Sequence, residues 1–158
     1  MDFSPVNATE DVIVPAKFSF AEPGSELGRQ LVALLGGGKV CDMLEIRESH
    51  ATDKWYAKGR PDVVVFAECT ADVAKVMAFA HEHRIPVTTR GAGHGYVGGC
   101  VPSCGGIVLS LIRMNRIVEI HPEDGVAVVE PGVITAQLQE AARQIGWDYP
   151  PDPASLKD

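Results

Sequence analysis

The stretch Val87-Thr88-Thr89-Arg90-Gly91-Ala92-Gly93-His94-Gly95-Tyr96-Val97-Gly98-Gly99 constrains this chain most. It places five glycines and an arginine directly after a short β-branched run. Glycine admits φ > 0 and allows a ligand to come close to the main chain. Successive N–H groups in such a segment can converge on one anion, so the segment reads as a nest for a phosphate-bearing ligand. One or two glycines suffice for a plain turn, and this density exceeds that need.

The elements on either side place the loop. Val63-Val64-Val65-Phe66-Ala67 is a continuous apolar run and predicts a strand buried on both faces. Thr70 is the expected cap of a helix carrying Val73, Val76, Met77 and Ala80 on one stripe, ended at Ile85-Pro86. Val87-Thr88-Thr89 follows as a second strand. The unit is βαβ, so its strands are expected to be parallel with a right-handed crossover. The glycine loop then lies at the carboxyl end of a strand, where open α/β sheets bind ligands.

Downstream, Ile107–Leu111, Arg116–Ile120 and Val126–Val129 read as strands. Asp124-Gly125 forms a hairpin turn between the last two, and Pro131-Gly132 closes the hairpin. Thr135 is the expected cap of a last helix with Leu138, Ala141, Ala142 and Ile145 on its apolar face. The prolines of Tyr149–Ser155 exclude a helix or a central strand there. Upstream, Leu27, Leu31, Leu34 and Leu35 predict a helix stopped by Gly36-Gly37-Gly38, and residues 41–60 read as irregular. The fold class is α+β (α/β). Residues 1–60 form an N-terminal extension with one helix, and the βαβ unit, hairpin and final helix occupy 61–158.

Composition closes off other classes. The net charge of −7 gives no support to nucleic-acid binding, which requires a basic face. No run of about 18 apolar residues predicts a transmembrane helix, and no secretory leader is visible at Met1–Pro5, so the expectation is a cytoplasmic protein. Cys100 and Cys104 have metal-like spacing, but a zinc site needs two further ligands nearby. No metal is expected, and Cys41, Cys69, Cys100 and Cys104 read as ordinary thiols. Gly93-His94-Gly95-Tyr96-Val97-Gly98 also fits the dinucleotide pattern G-x-G-x-x-G. That pattern needs a helix directly after it, and Gly99–Gly106 cannot start one, so the NAD reading loses its structural basis.

Taken in order, G-x-P-D-V-V-V, a helix, I-P-V-x-x-R-G-x-G-x-G, G-G-I-V-L-S-L, a hairpin ending V-x-P-G-V, a helix and P-P-D-P-x-S resemble one family. It is the FAD-binding (PCMH-type) domain of the vanillyl-alcohol oxidase and p-cresol methylhydroxylase family. The nearest likeness is to FAD-linked oxidases of the glycolate oxidase subunit and D-lactate dehydrogenase type. The resemblance runs from about Pro61 to the end.

The resemblance implies FAD as cofactor. Main-chain N–H groups of Gly91, Ala92, Gly93, His94 and Gly95 would cradle its pyrophosphate, with Tyr96 and Gly98 continuing the loop. Arg90 would either assist the anion or hold the loop in place, with a loop–carboxylate ion pair as the competing reading. Pro131 and Gly132 would approach the cofactor, and Pro151, Asp152, Pro153 and Ser155 would run along it. His94 falls where some relatives attach the flavin covalently. The glycolate-oxidase-like branch differs there, so a covalent link and a plain hydrogen bond both stay open.

The family pattern continues beyond P-D-P-x-S, whereas this chain ends at Leu156-Lys157-Asp158. The resemblance therefore implies the N-terminal half of an FAD domain, without catalytic residues, binding FAD weakly, turning nothing over and leaving apolar surface uncovered. In a full-length protein it implies a small alcohol or 2-hydroxy-acid substrate, and an oligomer or electron-acceptor subunit as partner. The competing reading is a non-catalytic remnant or interaction module that keeps the α/β core.

Overall fold

The computed structural model describes residues 23–153. It contains α1 (Glu26–Leu35), β1 (Val40–Cys41), α2 (Leu44–Ser49), β2 (Val63–Phe66), α3 (Thr70–His83), β3 (Val87–Arg90), β4 (Ile107–Ser110), β5 (Ile117–His121), β6 (Val126–Val129) and α4 (Thr135–Gln144). Four strands make one sheet in the order β1-β2-β4-β3, and β5 and β6 make a separate antiparallel pair.

The strands of the βαβ unit are parallel, as expected, but they are not neighbours. β4 lies between them and pairs in parallel with both, Phe66 and Arg90 each opposite Ser110. Side-chain chemistry accounts for this order. Ile107, Val108 and Leu109 are fully buried, as a central strand requires, whereas β3 is Val-Thr-Thr-Arg with Thr89 exposed, which suits an edge.

The sheet has a core on each face. Val63, Val65, Val76, Ala80, Ile107 and Leu109 join Leu31 of α1 on one side, while Cys41, Val64, Phe66 and Val108 pack with Ile46 of α2 on the other. Residues 41–60 are therefore not wholly irregular. β1 extends the sheet antiparallel to β2, and α2 covers the second face. α1 forms as read. Ser25 caps it by accepting from the Gly28 N–H at 3.1 Å, and the chain turns out at Gly36.

Three further readings are corrected. Thr70 and Thr135 are the first residues of their helices, not caps; Cys69 and Ile134 hold those positions, with no side-chain cap at Cys69. At α4 the Gln137 side chain instead accepts from the Ile134 N–H. Met77 is exposed on α3, because the helix buries Val76 and Ala80 along a narrower stripe. α3 also ends before Ile85-Pro86, at Arg84 in the left-handed region (φ 53°).

Candidate functional site

Three connections leave the carboxyl ends of the parallel strands at one edge of the sheet: Ala67–Cys69 after β2, the glycine loop after β3, and Leu111–Met114 after β4. The glycine loop passes through turns into β4, and no helix starts within residues 91–106. Its root is fixed where the Leu111 N–H donates to the Arg90 carbonyl at 2.9 Å.

Arg90 is nearly buried. Its Nη1 donates to the Thr52 carbonyl at 2.8 Å and the Cys100 carbonyl at 3.3 Å, and lies 3.6 Å from the Cys100 Sγ. The guanidinium lies directly beneath Gly93, so a methyl group there would overlap it. Gly93 also has φ +84°, a conformation glycine adopts without strain. Arg90 thus ties the loop to the Thr52 and Cys100 main chain.

The loop's main-chain donors have a different character. Among the described residues, the main-chain N–H groups of Gly91, Ala92, Gly93 and Gly95 have no hydrogen-bond partner. Four unpartnered donors thus fall within five residues, next to the Arg90 guanidinium; donors of this kind, where they converge, bind anions. Gly98 differs: its N–H donates to the Asp53 carboxylate at 2.9 Å, so it shapes the loop. Tyr96 and Val97 project outward, and the Tyr96 ring packs edge-on against Trp55 at 6.2 Å. His94 is half-buried.

The other expected residues fall into two groups. Gly132 joins the same end of the sheet. Its N–H donates to the Met114 carbonyl at 2.8 Å, and the carbonyls of Leu111, Ile112 and Met114 crowd its Cα so closely that a Cβ would lie within 3.0 Å of each. Pro131 precedes it in an exposed turn. Pro151, Asp152 and Pro153 are exposed and anchored to α4, where Gln139 Nε2 donates to the carbonyls of Tyr149 (3.2 Å) and Pro151 (2.9 Å). Ser155 lies outside the described residues.

Reading the sequence missed Thr52, Asp53 and Lys54, which touch the loop from a distant segment. Nothing in their local pattern marks them. Two histidines outside the loop also have partners. His50 closes α2, with its Nδ1 2.9 Å from the Ile46 carbonyl and its ring edge-on to Phe66, and burial pulls its pKa below 6.5. His121 lies 3.3 Å from the Glu119 carboxylate on β5. Among the described residues, no three His, Cys, Asp or Glu side chains converge as a metal site, and no helix is long and apolar enough to cross a membrane.

Residues 61–158 match the FAD binding domain family. The chain belongs to that family. It is 41% identical over 97 residues to the glycolate oxidase subunit GlcD of Bacillus subtilis, covering 61% of this chain and 21% of that protein. It is 41% identical over 111 residues to D-lactate dehydrogenase of Anaerostipes hadrus, covering 69% of this chain and 23% of that one. A crystal structure of p-cresol methylhydroxylase with substrate bound superposes with a TM-score of 0.65 at 29% identity, covering 74% of this chain and 24% of that one. The chain thus spans about a fifth to a quarter of the length of these relatives.

The fold is that of the PCMH-type FAD-binding domains, and the cofactor of this family is FAD. The residues present fit it. The unpartnered main-chain N–H groups beside the Arg90 guanidinium suit an anionic group such as a pyrophosphate in sign, and main-chain dipoles can meet such a charge without a helix terminus.

Proposed function

We propose that residues 61–158 are the first half of an FAD-binding domain preceded by an extension over 1–60, and that the chain is the cofactor-holding part of an FAD-linked oxidoreductase. Its substrate class is a small alcohol, most specifically a 2-hydroxy acid. The observation that carries this reading is the row of open donors at Gly91, Ala92, Gly93 and Gly95 above the buried Arg90. The 2-hydroxy-acid class draws its support from two relatives named for glycolate and D-lactate.

Bound flavin supplies the two-electron acceptor for a hydride leaving the alcohol carbon. This chain's own residues hold that cofactor. The loop donors, with the N–H of His94 among them, bind the pyrophosphate, and Arg90 keeps them aligned. Tyr96 and Gly98 continue the loop, and Pro131-Gly132 and the segment Pro151-Asp152-Pro153 approach the cofactor. A proline-rich segment suits that task because it has little conformational freedom to lose on binding. His94 is placed in the loop either to carry the flavin covalently or to donate a hydrogen bond to it.

The test is an absorbance spectrum of the purified chain with added FAD, before and after acid precipitation. Flavin that co-purifies or titrates in, and then washes into the supernatant, supports the non-covalent form. Colour retained in the pellet and lost in His94→Ala supports the covalent one. No flavin signal at saturating FAD would overturn the reading and favour a non-catalytic interaction module.

A further inference from the structure

The segment Thr52–Trp55 meets the glycine loop at four points. The Thr52 carbonyl accepts from Arg90 Nη1 at 2.8 Å, and Asp53 Oδ2 accepts from the Gly98 N–H at 2.9 Å. The Lys54 N–H donates to the Gly95 carbonyl at 3.2 Å, and the Trp55 indole lies against the Tyr96 ring. The second Asp53 oxygen accepts from the Trp55 N–H at 2.9 Å, which fixes the carboxylate's own orientation. These contacts use a carbonyl, the distal N–H and the arginine of the loop. They leave its Gly91, Ala92, Gly93 and Gly95 N–H groups open.

A loop this rich in glycine has much conformational entropy to lose when it orders around a ligand. Contacts that fix it beforehand remove part of that cost from binding. A carboxylate beside an anion site opposes the ligand by simple Coulomb repulsion, so its presence calls for a compensating role. Here both carboxylate oxygens are occupied by main-chain N–H groups.

We infer that the Thr52–Trp55 segment, with the Asp53 carboxylate at its centre, preorganises the glycine loop for its anionic ligand. Asp53 is a positioning residue that does not itself touch that ligand. The inference rests on the reading of the loop as a pyrophosphate cradle.

Positioning and charge predict opposite orders. Asp53→Asn keeps an acceptor for the Gly98 N–H and removes the charge; Asp53→Ala removes both. The full chain and both variants are compared by amide hydrogen exchange and by titration with FAD and with ADP. In Asp53→Ala the amides of Gly98 and its loop neighbours exchange faster while those of β2 and β4 do not change. The FAD and ADP dissociation constants rise about tenfold, as expected for loss of one charge-assisted hydrogen bond. Asp53→Asn restores most of both.

Tighter binding in Asp53→Asn than in the wild type would overturn the inference, since charge would then dominate. So would unchanged loop exchange in Asp53→Ala, or faster exchange with unaltered affinity. Faster exchange spread evenly over β2 and β4 would assign Asp53 a merely structural role and overturn it as well. A wild-type chain that takes up neither ligand would overturn the cofactor reading on that arm alone, while exchange at Gly98 would still decide whether Asp53 holds the loop.

Discussion

Arg90 ties the glycine loop to segments distant in sequence. Its guanidinium joins the Thr52 and Cys100 carbonyls beneath Gly93. Arg90→Ala removes the donor that the Thr52 and Cys100 carbonyls share, at a cost of about 1.5–3 kcal/mol, the range for a hydrogen bond to a charged group. Denaturant midpoints should fall accordingly, with Arg90→Lys intermediate because an ammonium lacks the flat, forked donor set. A midpoint equal to wild type in Arg90→Ala would show that the arginine carries no structural load. Gly132 is constrained by neighbours in the same way. Gly132→Ala drives a methyl group against three main-chain carbonyls that cannot rotate aside, and should destabilise the chain by roughly 1–3 kcal/mol in the same measurement.

At the scale of elements, α2 is held to the sheet through Ile46, His50 and Phe66. Burial is the first cause that lowers the His50 pKa, and the Arg90 charge acts in the same direction against the Ile46 carbonyl. The folded form therefore takes up a proton less readily than the unfolded chain, which titrates near 6.5. Stability is full above that pH and declines as pH falls below it, because the unfolded state then binds more protons. The denaturant midpoint should drop between pH 7 and pH 5.5, and His50→Phe should flatten that slope; an unchanged slope would remove His50 as its source. This helix also marks the limit of what the sequence makes legible. β2, β4 and α1 are plain in the sequence, because continuous apolar runs and leucine spacing report burial directly. β1 is two residues long and α2 six, too short for any period to show, and both exist because the sheet offers an edge and a face to cover. The glycine loop is legible for the same local reason. Asp53 is not, since its partner is 45 residues away and only the fold brings them together.

Across the whole molecule, burial is distributed unevenly, and the glycine loop leaves the most buried part. β2 and β4 are covered on both faces and carry the two clusters of buried residues. Among the described residues β5 and β6 pair only with each other, and Val118, Val126, Val128 and Val129 are exposed on them, as are Trp147 and Tyr149 beyond α4. A cavity of about 230 Å³ separates this hairpin from α4, lined by Ile120, Val126, Ala127, Leu138 and Trp147 among others. A two-stranded ribbon is marginal by itself, so the hairpin depends on its one covered face and on the Arg116–Glu130 pair, whose closest contact is 2.7 Å. Native-state hydrogen exchange should therefore separate two units. Amides of Val64, Val65, Val108 and Leu109 should exchange only through global unfolding, and those of β5 and β6 through a local opening of much lower free energy. The glycine loop hangs from the first unit through Arg90 and Leu111, so added FAD should slow exchange at Gly91–Gly95 without protecting the hairpin to the same degree. Equal protection of both sheets in the free chain would show that the hairpin and the four-stranded sheet unfold as one, and that the site draws its rigidity from the whole domain.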